Sequence, residues 1–200
     1  MKITAIKAQV KRSGRYSIFV DGKYSFSLSE AELLHTQLAA NQELTQQRLA
    51  ELKDAANVDK AFGRALNLLA RRPRSEWELR DYLKRKEYGL ATSAKVILKL
   101  EHYGYIDDLV FAKLWVENRR LLKPTSKRRL QQELRQKRID QTAIDLVLAD
   151  STSEDLTSLR QVVAKKRARY PDKQKLMQYL ARQGYSYHDV QTVLDEDMTG

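Results

Sequence analysis

Aromatic and β-branched residues are concentrated in the first 28 positions of the chain, which predicts strands there. The candidate strands cover residues 3–10, 15–20 and 23–28. Asp21-Gly22, between the second and third segments, is a strong hairpin signal. We therefore expect a small β-meander, which needs a helix packed on it because so small a sheet is marginal alone.

Helix-start signals follow the predicted sheet. Ser29 and Glu32 have the spacing of a capping box, which predicts a short helix to about Leu38. Thr45 is expected to cap a second helix that runs towards Lys53. From about residue 57 onwards the pattern indicates helix throughout.

Pro73, Pro124 and Pro171 are 51 and 47 residues apart, which indicates a repeat of about 50 residues. Three ungapped segments of the helical part share one pattern of apolar positions. They are Leu79-x-x-x-Leu83-x-x-x-x-Tyr88, Leu130-x-x-x-Leu134-x-x-x-x-Ile139 and Leu176-x-x-x-Leu180-x-x-x-x-Tyr185. The leucines at i and i+4 share one helical face. Breaks around Gly89, Asp140 and Ser186 then start another helix, and a further apolar helix precedes each segment.

The fold class that follows is mainly α, with three tandem three-helix repeats that are similar to helix-turn-helix modules, and a small N-terminal β-meander. The expected domains are residues 1–56, 57–106, 107–150 and 151–200. One repeat buries little apolar area, so neighbouring repeats are expected to share interfaces in an elongated array.

Charge is distributed unevenly along the 200 residues, whose net charge is +11. Residues 60–140 carry 21 Lys and Arg against 10 Asp and Glu, whereas the segments before and after are nearly neutral. Such a basic block favours a localised surface for a polyanionic partner, and separately solvated helix faces are the alternative.

Several function classes are excluded or disfavoured by composition. The chain has no cysteine and only three scattered histidines, which excludes thiolate chemistry and disfavours a metal site. No catalytic motif or carboxylate pair stands out, so we expect a non-enzyme without a cofactor. No apolar run reaches the length of a signal peptide or a membrane span, so we expect a cytoplasmic protein with no membrane partner. We also expect a monomer.

The sharpest motif is Arg71-Arg72-Pro73-Arg74-Ser75-Glu76-Trp77-Glu78-Leu79. Ser75 and Glu78 predict a capping box, and the arginines beside it offer bidentate donors for phosphate or carboxylate. The alternative is that Arg71 and Arg72 complement the end of the preceding helix. Charge reversal at all three arginines is expected to weaken partner binding without unfolding the chain.

Basic positions recur in the next repeat, which favours a continuous stripe. The candidate binding residues are therefore Arg71, Arg72, Arg74, Arg80, Lys84, Arg85, Lys86, Lys127, Arg128, Arg129, Arg135, Lys137 and Arg138. Lys84 aligns with Arg135, and Lys86 aligns with Lys137. Trp115 is interpreted as core, Trp77 remains open between core and base stacking, and Asp107-Asp108 are interpreted as a helix start.

These motifs resemble the RecX family, the bacterial regulators of the RecA recombinase. The segments that carry the resemblance are 20–33, 65–86, 104–112, 128–140 and 173–190, and they cover nearly the whole chain. Ser93, the segment 123–126 and Arg138 depart from residues usual in the family, which affects local packing and turns only.

The resemblance implies a modulator that lies in the groove of the RecA–single-stranded DNA filament. Such a protein limits filament extension and inhibits ATP hydrolysis, strand exchange and co-protease activity. It also implies direct binding to single-stranded or double-stranded DNA in many members. The alternative function is a non-catalytic DNA-binding protein or transcription regulator that reads duplexes with its helix-turn-helix-like units.

Overall fold

The computed structural model describes residues 1–149 and 151–199, including their side chains except those of 151–153 and 197–199. The chain divides into two compact units, Met1–Ile106 and Asp107–Gly200. About 64% of the chain is helical, which confirms the mainly α fold class.

The N-terminus forms the predicted three-stranded antiparallel sheet, in the order β1-β2-β3. Its strands are β1 (Ile3–Ala8), β2 (Arg15–Val20) and β3 (Lys23–Ser29). Asp21 and Gly22 both have positive φ, the conformation that a type I′ hairpin turn requires. The predicted hairpin is therefore confirmed, and the buried residues of the three-stranded sheet include Ile3, Ile18 and Leu28.

The first helix, α1 (Glu30–Thr36), begins at Ser29, whose hydroxyl accepts from the Glu32 backbone N–H. Only this half of the predicted capping box forms. The Ser29 backbone N–H and hydroxyl instead donate to the buried carboxylate of Asp59, at 2.9 and 2.6 Å. The Glu32 carboxylate lies 3.3 Å from the Lys99 ammonium and forms an ion pair with it. Tertiary contacts therefore replace the missing half of the capping box.

One long helix, α2 (Gln46–Leu69), replaces the shorter helix that was predicted to run towards Lys53. Thr45 caps it as expected. The helix continues because no proline or glycine interrupts residues 46–62. It serves both as the cover of the sheet and as the first helix of repeat 1.

Repeat 1 is completed by α3 (Glu76–Arg85) and α4 (Leu90–His102). The second unit contains repeats 2 and 3, with a short 3₁₀ turn at Arg167–Arg169. Its helices are α5 (Asp108–Leu122), α6 (Lys127–Gln136), α7 (Gln141–Val147), α8 (Ser151–Lys166), α9 (Lys173–Arg182) and α10 (Tyr187–Thr199).

The predicted repeat pattern is confirmed by burial. Equivalent leucines of α3, α6 and α9 each lie in the core of their own repeat, and all are at most 1% exposed: Leu79, Leu83, Leu130, Leu134, Leu176 and Leu180. Ser93 is buried at the position where the other repeats place Ile144 and Val190. Asp107 accepts from two backbone N–H groups at the start of α5, so its interpretation as a helix cap is also confirmed.

Candidate anion-binding surface

The arginine-rich motif before α3 forms the predicted capping box between Ser75 and Glu78. Glu78 also accepts two hydrogen bonds from Arg72, at 2.9 and 3.2 Å. Arg74 places a guanidinium nitrogen 3.9 Å from the same carboxylate. Glu78, in the first turn of α3, therefore forms ion pairs with two of the three arginines of the motif.

Arg74 is the most confined of these cations, with only 20% of its side chain exposed. Burial, and then the charge of Arg72, lowers the pKa of Arg74. Its Nε is buried and has no hydrogen-bond acceptor among the described residues. Arg74 is thus positioned as a structural cation, whereas the Arg71 side chain is exposed and has no ion-pair partner among the described residues.

The remaining cations of α3 fall into two groups. Arg80 pairs with Glu76, and Arg85 pairs with Asp81 at 3.0 Å, in surface bridges one helical turn apart. Such exposed bridges contribute little free energy, yet they offset charge locally. Lys84 and Lys86 are exposed and form no ion pair within the described residues, so they remain available to a partner.

In repeat 2 three of the six candidate cations contact internal partners through their side chains: Arg129, Arg135 and Lys137. Arg129 donates to the Gln183 side-chain oxygen at 2.6 Å and lies 3.8 Å from Glu133. Arg135 donates to Gln141 at 3.1 Å. Arg128 and Arg138 are exposed, and neither side chain has a hydrogen-bond or ion-pair partner among the described residues.

Trp115 is half-buried and packs on the core of repeat 2, as its interpretation required. Its indole N–H donates to Glu133 at 3.0 Å, while Arg119 and Lys137 lie 4.8 and 4.9 Å from the ring centroid. These contacts give the Lys137 ammonium a cation–π partner. Trp77 is 42% exposed, so it lies at the surface of repeat 1.

The two aligned pairs of basic positions have different surroundings. Lys84 and Lys86 are exposed and have no ion-pair partner among the described residues, whereas Arg135 and Lys137 contact Gln141 and Trp115. Repeats 1 and 2 therefore share their helical pattern, but equivalent basic side chains differ in whether they contact internal partners.

The start of α6 is joined to α8 through a partly buried carboxylate. The Lys127 backbone N–H donates to Asp155 at 2.6 Å. Burial raises the pKa of Asp155, although this hydrogen bond opposes the shift. The nearby charge of Asp189 raises it further.

A polar groove of about 500 Å³ lies between α6 and the end of α9, and sequence reasoning did not single it out. Arg128, Arg129 and Arg182 line it together with Gln132, Gln136 and Gln183. Arg182 is not among the binding residues predicted from the sequence, because basic residues are sparser in the third repeat. The contact of Gln183 and Gly184, after α9, with the start of α6 brings Arg182 into the same groove as Arg128.

No three His, Asp or Glu side chains of the described part gather into a potential metal site. Among the helices that the structure describes, none is both long and apolar enough to cross a bilayer.

Four family models match the chain in order along most of its length. The RecX N-terminal domain model matches residues 1–45. Models of the first, second and third RecX three-helix domains match residues 61–100, 107–148 and 153–194.

Curated relatives carry the same family description. A regulatory protein RecX of Listeria monocytogenes serotype 4a is 38% identical over 156 residues, which are 77% of this chain and 57% of the relative. The chain therefore spans little more than half the length of that relative. A regulatory protein RecX of Listeria innocua serovar 6a is 35% identical over 195 residues, which are 93% of this chain and 72% of the relative.

Solved structures agree with these relatives. A crystal structure of a regulatory protein RecX superposes with a TM-score of 0.81 at 30% identity, covering 97% of this chain and 98% of that one. A RecX structure from Lactobacillus salivarius shares the fold, with a TM-score of 0.65 at 23% identity over 71% of this chain and 97% of that one. Because four family models match in chain order and a relative is 35% identical over 93% of the chain, this protein belongs to the RecX family of regulatory proteins.

Proposed function

We propose that this protein binds the RecA–single-stranded DNA filament and limits its extension. It thereby inhibits ATP hydrolysis, strand exchange and co-protease activity, and it acts as a cytoplasmic binding protein without catalysis of its own. The observation that carries the proposal is family membership along nearly the whole chain, with a RecX structure matching 97% of it.

The distribution of unpaired cations supports this proposal. In repeat 1, Arg71, Lys84 and Lys86 are exposed and have no acidic partner among the described residues. A filament of protein and DNA presents carboxylates and phosphates, and cations without internal partners can meet them without breaking existing ion pairs. The paired arginines of α3 must give up an acid first, so we expect them to contribute less.

The first experiment titrates the protein into RecA hydrolysing ATP on single-stranded DNA at fixed DNA concentration and near-physiological salt. Inhibition well below one molecule per RecA subunit is expected, because a protein that blocks filament growth acts on many subunits at once. If ATP hydrolysis is unchanged while the protein binds bare DNA tightly, the proposal fails. The DNA-binding alternative then gains support, and it predicts a preferred sequence in selection from random duplexes.

The choice of surface residues can be tested with two variants of equal charge. Lys84→Gln with Lys86→Gln removes two exposed cations that have no ion-pair partner in the described part of the chain. It should raise the concentration for half-inhibition about tenfold, since each lost contact is worth roughly 0.7 kcal/mol. Arg80→Gln with Arg85→Gln removes two cations paired with Glu76 and Asp81, and should have a smaller effect. Equal effects of both variants would show that only net charge matters.

A further inference from the structure

The groove between α6 and α9 has the chemistry of an anion site at the junction of repeats 2 and 3. Arg128 lies on α6, and Arg182 is the last residue of α9. Both guanidinium groups line the groove, and neither has an ion-pair or hydrogen-bond partner among the described residues. Two cations therefore line one groove, and nothing in the described part of the chain neutralises them.

The acid that lines this groove is already engaged. Glu133 accepts hydrogen bonds from Trp115 at 3.0 Å and from Arg119 at 2.8 Å, and it lies 3.8 Å from Arg129. Its negative charge is offset by these neighbours. The groove thus presents a net positive surface to a ligand.

Close packing of the α9–α10 turn on the start of α6 fixes the two walls. Ser126 donates to the Gln183 carbonyl at 2.7 Å, and Arg129 donates to the side chain of the same glutamine at 2.6 Å. A Cβ added at Gly184 would lie 2.7 Å from the Ser126 hydroxyl, so the backbones approach as closely as glycine allows. The distance between the walls is therefore set before any ligand binds.

The donors on α6 form a row. Arg128, Gln132 and Gln136 are four residues apart and line the groove together. Successive members are about 6 Å apart along the helix, since each residue rises about 1.5 Å. This separation is similar to that between neighbouring phosphates of an extended nucleic-acid strand. Guanidinium and amide groups donate to phosphate oxygens, and the described residues that line the groove include no aromatic ring to stack on bases.

We propose that the α6–α9 groove binds the phosphate backbone of a single nucleic-acid strand, with Arg128 and Arg182 as its principal contacts. Binding is independent of sequence, because the groove offers donors to the backbone and no platform for bases. The groove is then the part of the filament modulator that meets the DNA strand, so its biological setting rests on the proposed function.

The test uses the full chain and a fluorescein-labelled oligothymidylate of 20 nucleotides, with fluorescence anisotropy measured over a range of salt concentrations. Arg128→Gln with Arg182→Gln should reduce affinity at about 0.1 M salt by at least about tenfold. It should also lower the slope of log affinity against log salt by about 1.4, since each neutralised phosphate on a single strand contributes about 0.7. Urea unfolding should match the parent, because both side chains are exposed.

The matched control is Arg80→Gln with Arg85→Gln, which removes the same charge from paired positions of α3. An equal loss in the control, or an unchanged salt slope in the groove variant, would overturn the assignment. Polyglutamate that competes as well as unlabelled oligothymidylate would also overturn it, because the groove would then bind carboxylates. RecA inhibition is read separately: a protein that binds oligothymidylate through the groove but leaves RecA active contradicts the proposed function alone.

Discussion

Replacement of Gly184 by alanine should destabilise the second unit through Ser126. Gly184 has φ of +94°, and an added Cβ would lie 2.7 Å from the Ser126 hydroxyl. An L-residue in the left-handed region costs about 1–2 kcal/mol. The Ser126 hydroxyl must also move, and it then loses its hydrogen bonds to the Arg129 N–H and the Gln183 carbonyl.

The magnitude of this loss follows from those two contacts. A helix cap is worth about 1 kcal/mol, and a hydrogen bond to a buried carbonyl is worth about 1 kcal/mol. Together with the backbone strain, Gly184→Ala should therefore lower the free energy of unfolding by about 3–4 kcal/mol. Ser126→Ala removes the same two contacts without strain and should cost about 2 kcal/mol.

A double-mutant cycle separates the two causes. If the clash with Ser126 is correct, the double variant should cost about the same as Gly184→Ala alone, a coupling of about 2 kcal/mol. Urea unfolding followed by Trp115 fluorescence in a Trp77→Phe background reports on the second unit, since these are the two tryptophans of the chain. Strict additivity of the two single losses would refute the proposed contact.

Two further predictions concern buried and paired acids. Glu78→Gln should keep the capping box but release Arg72 and Arg74 from their ion pairs. We expect the free energy of unfolding in urea to fall by about 1 kcal/mol and oligothymidylate to bind more tightly at low salt. The control is Glu117→Gln, which removes the same charge from an exposed acid, and equal affinities of the two variants would contradict the prediction. Because burial raises the pKa of Asp155, its folded form holds a proton more tightly than its unfolded form, so its contribution to stability is lost as pH rises through the folded pKa. Asp155→Asn should therefore be more stable than the parent at neutral pH, and the difference should shrink as pH falls towards 3.8, the ordinary pKa of Asp. Thermal unfolding measured across pH checks the prediction, and a difference in stability that does not change with pH would contradict it.

Local signals were sufficient for most of the fold. The Asp21-Gly22 hairpin and the i, i+4 leucines depend on short-range geometry, so they could be predicted from the sequence. The sequence pattern predicts too short a helix α2, because the expected domain boundary after residue 56 falls where neither proline nor glycine interrupts the helix. Here the apolar face continues from the sheet core into the repeat core, and tertiary packing decides the helix length.

The candidate surface was only partly accessible to sequence reasoning. Composition located the basic block, but it could not tell which cations have partners. Glu78 is close to Arg72 in sequence, yet its pairing depends on the turn around Pro73. Arg182 lies 54 residues from Arg128, and the contact of the α9–α10 turn with the start of α6 places both in one groove.

The continuous helix α2 has a consequence for dissecting the protein. Its 24 residues span about 36 Å, and one stretch buries Leu52 and Ala56 beneath the sheet while the next buries Ala61 and Ala65 in repeat 1. A truncation at residue 57 would cut this rod between its two cores and leave each half with an exposed, fraying end. The sheet and the first repeat should therefore melt together as one cooperative block, and a fragment designed on repeat boundaries alone would lack an intact first helix.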